Sequence, residues 1–223
     1  MANLAVATFS GRSIIWNRIK GNGTEPLNVG WGTQATTTGS VSGNVNLWTP
    51  ATEARTSGVS SLISTTQLAD TYKVIASITC AVGAKTITEV GMFDTSTLST
   101  TTTLAASLTA SATSITFGAN PGPTSGNYYI QLSNNETVLA TGANSTTLTV
   151  SRGALGTTSA VASSGTAATI GGDGGAYATG SVGGQTASVP ASLGGSCFAH
   201  ADFAGIALNV GDSISFTITD TLT

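Results

Sequence analysis

Charged residues are scarce in this chain of 223 residues. They make up 8% of the sequence, with seven Lys and Arg, ten Asp and Glu, and a net charge of -3. Proteins that hold nucleic acid need a basic field that releases counterions from the phosphates. We therefore expect no nucleic-acid partner. The shortage of charge does not predict disorder, because 40% of the residues are hydrophobic and disordered chains combine low hydrophobicity with high net charge.

Long apolar runs are also missing. No run of 18 apolar residues occurs, so the sequence predicts no membrane-spanning helix and no membrane partner. The first nine residues lack the basic start and apolar run of a signal peptide. We expect the protein to be made in a cytoplasm and to remain soluble.

Cysteine and histidine are rare. Cys80 and Cys197 each fall on the inward row of an alternating stretch, and a reducing cytoplasm favours free buried thiols over a disulfide. The single histidine, His200, lies in a strand pattern, and no Gly-x-Ser-x-Gly motif is present. A zinc site needs several His or Cys ligands. We expect no catalytic residue, no metal and no cofactor, and therefore no enzyme.

Small polar residues dominate what is present. The chain has 40 Thr, 27 Ser and 28 Gly, while the residues that build exposed helices are few. Because Thr, Val and Ile favour strands, the predicted class is all-β. Residues 71–82 alternate cleanly, and the following residues 85–94 predict a second strand paired with the first as a hairpin. One row of the first strand is predicted to face inward: Val74, Ala76, Ile78, Cys80 and Val82.

The middle of the chain has a different pattern. Residues 95–170 carry only two charges, Glu136 and Arg152, and predict short strands near residues 114–117, 128–132, 137–141 and 147–151. A glycine-rich stretch, residues 171–184, predicts a flexible return. These patterns predict a jelly-roll-like β-sandwich domain formed by residues 33–102 and 171–223, interrupted by an inserted β-module at residues 103–170.

Residues 1–32 are interpreted as an extended N-terminal arm. Basic residues concentrate there, together with tryptophan, so the arm is the predicted contact region. The alternative is an edge strand and a coil that lie on the chain's own core. The candidate interface residues are Arg12, Trp16, Arg18, Lys20 and Trp31.

Several short stretches carry a family resemblance. In the outer domain these are GWGT (30–33), TPATEAR (49–55), DTY (70–72), ITEVGMFD (87–94) and GDSISFTI (211–218). They resemble a family of tailed-bacteriophage virion structural proteins. The stretches PTSGNYYI (123–130) and LTVSRGALGTT (148–158), with Glu136, are similar to a small β-module inserted in many phage structural proteins. Within these motifs we expect either an ion pair between Glu89 and Arg55 or two solvated side chains.

The resemblance implies a place in the virion, assembled in the host cytoplasm. The leading hypothesis is a capsid decoration, or cement, protein that forms a homotrimer and bridges subunits of the major capsid protein. An alternative is a neck or tail-fibre subunit that displays its module to the host and contacts other virion proteins. A third hypothesis is carbohydrate binding, with an aromatic platform formed by Trp16, Trp31, Trp48, Tyr128 and Tyr129; the alternative for these rings is core or subunit packing.

Overall fold

The chain folds into antiparallel β-sheets, which confirms the predicted all-β class. A computed structural model describes residues 6–8, 11, 24–34, 39–120, 122, 127–141, 146–173 and 194–221. Within these residues, fourteen strands form three sheets. No helix in the described ranges is both long enough and apolar enough to cross a membrane.

Two of the sheets form a sandwich-like body. The five-stranded sheet has the order β1-β13-β6-β2-β3 and the three-stranded sheet the order β14-β5-β4. Their strands are β1 (Val6–Ala7), β2 (Asn28–Gly32), β3 (Thr56–Ser57), β4 (Val59–Ile63), β5 (Thr71–Thr79), β6 (Lys85–Phe93), β13 (Cys197–Leu208) and β14 (Ser213–Thr221). Both sheets contribute to one apolar core, which includes Val29, Val74, Ile78, Met92, Phe198 and Ile218. This burial is the main driving force that holds the two layers together.

The predicted hairpin between residues 71–82 and 85–94 is wrong in its pairing. Strand β5 pairs with β4 and β14, whereas β6 pairs with β2 and β13. The turn around Gly83, whose φ is +67°, carries the chain from one layer to the other. Because β5 ends at Thr79, Val82 lies in this turn and is 58% exposed. Its predicted inward position is also wrong.

Both cysteines are buried and unpaired, as expected for core thiols. Cys80 lies at the corner after β5, where its backbone N–H donates to the Asp212 carbonyl at 2.8 Å. Cys197 opens β13 beside Phe93 and Leu47. Burial raises the pKa of the Cys197 thiol to about 12, which keeps it protonated and unreactive.

The third sheet curls into a barrel-like body. Its order is β7-β12-β9-β10-β11-β8, with strands β7 (Thr101–Thr103), β8 (Ser114–Thr116), β9 (Asn127–Leu132), β10 (Thr137–Thr141), β11 (Thr147–Ser151) and β12 (Ala167–Asp173). The two end strands continue into an antiparallel bridge between Leu104 and Phe117. Two hydrogen bonds flank that bridge, from Ala105 N–H to the Thr116 carbonyl and from Gly118 N–H to the Thr103 carbonyl. Closure of this kind removes the open edges of a sheet.

The barrel strands compare closely with the predicted ones. Strands β8, β9, β10 and β11 lie where the alternation predicted them. The short β7 is an addition, and β12 runs to Asp173, into the stretch predicted to be a flexible return. All six strands come from residues 101–173, between the strands of the sandwich. Their apolar side chains fill a separate core that includes Leu104, Ile115, Phe117, Ile130 and Val138.

Candidate functional site

The candidate interface residues of the arm divide into two groups. Arg12, Trp16, Arg18 and Lys20 lie outside the described residues. Trp31 lies on β2 and is 2% exposed, with its ring edge-on to Phe216 at 6.3 Å. Its indole N–H donates to Glu53 Oε2 at 3.2 Å. The prediction that Trp31 is a contact residue is therefore corrected, because its ring is part of the core.

Glu53 links three separate elements of the sandwich. It pairs with Lys85 at the start of β6, accepts from Trp31 on β2, and accepts from Val82 N–H at 3.1 Å in the turn after β5. Burial alone would raise its pKa, but the hydrogen bonds from Lys85, Trp31 and Val82 outweigh it and lower the pKa from 4.5 to about 2. The ionised carboxylate is therefore the form that the fold stabilises.

This depressed pKa predicts an acid-sensitive contribution to stability. Glu53→Gln should be less stable than the wild type at pH 7, and the deficit should shrink as the pH falls from 4.5 towards about 2. The sign follows because the unfolded chain binds the proton at a higher pH than the folded chain does. Urea midpoints of the wild type and of Glu53→Gln along a pH series measure the difference in stability. The other acidic groups are the same in both proteins, so their contributions cancel in this difference. A deficit that stays constant down to pH 2 would contradict this assignment.

A second buried polar site lies between the sandwich and the barrel. Residues 39–50 cross this boundary with no strand apart from a single bridge at Pro50, so their backbone groups need other partners when buried. Side chains from both bodies supply them. We call this set of buried or half-buried polar residues the seam; it comprises Asn44, Asn46, Glu89, Gln131, Asn135 and His200.

Glu89 on β6 forms the sandwich side of the seam. Its side chain is fully buried, with Oε1 accepting from Thr49 N–H at 2.8 Å and Oε2 accepting from Trp48 N–H at 2.8 Å. His200 on β13 brings Nε2 to 3.0 Å from Oε2. With a proton on Nε2, the neutral imidazole gives the carboxylate a third donor. A buried carboxylate is stable only when its oxygens are satisfied in this way.

The ring of His200 is fixed by Trp48. The two rings meet edge to face, with centroids 4.6 Å apart and planes at 87°. Nδ1 is buried and has no hydrogen-bond partner among the described residues. A hydrogen on Nδ1 would be buried without an acceptor, whereas a hydrogen on Nε2 faces Glu89 Oε2. The side chains of Glu89 and His200 are both fully buried. Together they hold residues 48 and 49 against the sheet.

The barrel forms the other side of the seam through Gln131 and Asn135. Gln131 Oε1 accepts from Val45 N–H at 3.1 Å. Asn135 Oδ1 accepts from the Trp48 indole N–H at 3.0 Å and from Asn44 Nδ2 at 2.7 Å. Asn135 has φ of +67°, a conformation that asparagine tolerates better than most residues. Trp48 therefore bonds through its backbone to the sandwich and through its ring to the barrel.

Arg55 is a buried cation close to the seam. Its guanidinium carbon lies 3.4 Å from the centroid of the Phe93 ring, an arrangement typical of a cation–π contact. It donates to the carbonyls of Thr95 and Gly194 at 3.1 and 2.7 Å, and to Ser99 Oγ at 2.6 Å. Burial lowers its pKa to about 10, which still leaves it charged at neutral pH. Both expectations for Glu89 and Arg55 are wrong, since each is buried and bonds to other groups.

Gly32 provides the space that Glu89 occupies. A Cβ added at Gly32 would lie 2.6 Å from the Thr49 carbonyl oxygen and would collide with Glu89 Oε1. Gly32→Ala should therefore lower the free energy of unfolding by about 2 kcal/mol, the usual cost of overpacking. Gly118→Ala is the matched control, because its Cβ would meet nothing closer than 3.7 Å. Equal urea midpoints for the two variants would show that the Glu89 site is not tightly packed.

Glu136 and Arg152 form a third buried polar site, just before β10 and just after β11 of the barrel-like body. Arg152 Nε and Nη2 donate to the two oxygens of Glu136 at 2.7 and 2.6 Å. The carboxylate also accepts from Gly153 N–H at 3.0 Å and Ala160 N–H at 3.1 Å. Bidentate geometry of this kind fixes the orientation of both groups. The pair thereby holds together the turn before β10 and the loop that follows β11.

Sequence reasoning missed most of the seam. It named two of the members, Glu89 and His200, but not the four amides Asn44, Asn46, Gln131 and Asn135, because a single amide side chain produces no periodic signal. Comparison with protein-family models and with curated proteins gives no match. Within the described ranges, no group of three or more His, Cys, Asp or Glu lies together as a metal site would require.

Proposed function

We propose that this chain is a bacteriophage virion structural protein that decorates the capsid shell and bridges subunits of the major capsid protein. The proposal begins from the sequence resemblance. The observation that carries it is the use of the charged motif residues as internal ties. Glu89 binds the segment between the two bodies, and Arg55 braces the adjoining loops.

These ties suit a mechanical role. A cement protein must transmit load between its contact surfaces, so relative motion of its two bodies would weaken the clamp. The seam opposes that motion, because separating the bodies would expose Trp48 and leave the bonds to Gln131 and Asn135 unmade. The same rigidity would serve a neck or tail-fibre subunit, and the experiment must therefore locate the protein in the virion.

Antibody labelling of the parent virion tests the location. We expect dense, regular labelling over the head by electron microscopy. Labelling confined to one vertex or to the tail would overturn the decoration proposal in favour of the neck or tail-fibre alternative. Unlabelled virions would overturn membership of the particle itself.

A binding assay with isolated shells tests the arm. Deleting the first 20 residues would remove strand β1, which pairs with β13, and the fully buried Thr8, so the deletion would also disturb the fold. We propose instead substituting the arm residues Arg12, Trp16, Arg18 and Lys20 by serine in the full chain. Co-sedimentation with shells should be lost, while unfolding by urea stays unchanged. Wild-type binding should vary little with salt, because the chain carries so little charge.

A further inference from the structure

Strand β14 has an open edge along its whole length. It pairs with β5 in an unbroken antiparallel register from Ser213 to Thr221. In the described part of the chain, no strand lies along its other side. An edge strand presents alternate N–H and C=O groups outward, ready to pair with another chain.

This edge lacks the features that usually prevent such pairing. Natural edges are often interrupted by Pro, Lys, a bulge or a short length. Strand β14 is nine residues long, has no register shift, and contains Asp220 as its only charge. The edge strands β1 and β3 are two residues long, β4 at the other edge of the sheet that contains β14 is five residues long, and the barrel is closed. The surface row of β14 consists entirely of hydroxyl residues: Ser213, Ser215, Thr217, Thr219 and Thr221.

We propose that β14 pairs with β14 of a second copy of this chain, antiparallel about a two-fold axis at Thr217. The inference does not rest on the proposed function. In this register the surface row places Thr217 opposite Thr217, and Ser215 opposite Thr219 of the second copy. Hydroxyl pairs of this kind stabilise antiparallel strands. The existing β5–β14 ladder already contains two of them, Thr71 with Thr221 at 2.8 Å and Thr79 with Ser213 at 2.7 Å.

The other row of β14 also fits this register; it consists of Ile214, Phe216, Ile218 and Asp220. Phe216 would face Ile218 of the second copy, adding apolar contact at the margin of the core. Asp220 would face Ile214 near the end of the ladder, so the two Asp220 carboxylates lie about 20 Å apart, six residues along the strand. No like charges meet. This self-complementary pattern favours a second copy over an unrelated partner, since a two-fold axis requires each surface to match itself.

The size of the contact sets its strength. Stable complexes bury about 1,200 Å² or more, and a ladder of nine residues from each copy is a narrow contact. The half-buried pair Phe203 and Phe216, with centroids 6.3 Å apart, lies beside the open edge and can extend the contact. The dimer should therefore dissociate on dilution.

Sedimentation equilibrium of the full chain over a concentration series tests the pairing. The wild-type mass should approach twice the 22.0 kDa of one chain at high concentration and return to 22.0 kDa on dilution. Thr217→Lys places two ammonium groups at the axis and should abolish the dimer. Ser77→Lys is the matched control, because Ser77 lies on the same exposed face but on the central strand β5, and it should keep the dimer.

Thr217→Pro provides a second variant that does not rely on charge. Urea midpoints close to the wild-type value would show that each variant is folded. The proposal is overturned by a wild type that stays monomeric at every concentration, or by a dimer that both Thr217 variants leave intact. A trimer of 66 kDa (three times 22.0 kDa) would also overturn the two-fold pairing and would agree with the trimer that the family resemblance implies.

Discussion

Replacing Arg152 by methionine should lower the free energy of unfolding by about 3–5 kcal/mol. The side chain of Glu136 is fully buried, and two of its closest donors are Nε and Nη2 of Arg152, at 2.7 and 2.6 Å. Methionine fills much of the same volume but donates nothing. The carboxylate would keep the N–H groups of Gly153 and Ala160 yet lose its counterion, and breaking a buried pair on one side carries a cost of this size. The urea midpoint of the full chain measures the loss.

A control and a double variant separate this pair from general effects of losing a cation. Lys73→Met removes a cation from the exposed face of β5, and its effect should stay within about 0.5 kcal/mol. Glu136→Gln combined with Arg152→Met removes both charges and should recover part of the lost stability. If Arg152→Met alone costs less than about 1 kcal/mol, the interpretation of the pair as a structural tie is wrong.

The pairing of Glu136 with Arg152 is not among the predictions from the sequence. These residues are the only charges within residues 95–170, and a buried charge is usually satisfied by its opposite, so the composition does carry a signal for the pair. The four strands β8 to β11 could be predicted, because their alternation is regular and turn residues separate them.

The pairing of the strands was harder to predict from the sequence than the positions of the strands themselves. The alternation in residues 71–79 correctly identifies the row that faces the core, with Val74, Ala76 and Ile78 all buried. It carries no information on whether the next strand lies beside the first or in the facing sheet, because both outcomes need the same short turn. The crossing at residues 80–84 is decided by packing of the two layers, which is a property of the whole sandwich.

The seam could not be predicted from local patterns. Asn44 is 87 residues from Gln131 and 91 from Asn135 in sequence, and the contacts between them depend on how the two bodies sit against residues 39–50. Asn44 and Asn46 follow the turn residue Gly43, and a stretch of this composition indicates a loop, which is usually exposed. Here the loop is buried, and buried backbone must be hydrogen-bonded. That requirement, rather than any motif, explains why polar side chains from two bodies converge on residues 39–50.

Glu89 is the seam residue whose substitution we expect to weaken the contact between the two bodies most. Its two oxygens together accept from the backbone N–H groups of Trp48 and Thr49 and face Nε2 of His200. Glutamine offers one oxygen and one NH2 in their place. Each backbone N–H group now has a carboxylate oxygen as its acceptor at 2.8 Å. Whichever way the amide is turned, its NH2 takes the place of one of these two oxygens, so that two donors face each other. One buried donor then loses its partner, and a tautomer change at His200 does not restore it.

Glu89→Gln should therefore lower the free energy of unfolding by about 3 kcal/mol, the sum of a lost bond to a charged acceptor and an unsatisfied buried N–H. Amide hydrogen exchange should also quicken at residues 48 and 49 before global unfolding, because their acceptor is gone. Glu25→Gln is the matched control: among the described residues, the bond to the Glu25 side chain comes from the Tyr72 hydroxyl to Oε1 at 3.0 Å, and an amide oxygen can replace it. If Glu89→Gln unfolds at the wild-type urea concentration with unchanged exchange at these two residues, the carboxylate does not hold the segment between the bodies, and the rigidity invoked for the capsid role loses its physical basis.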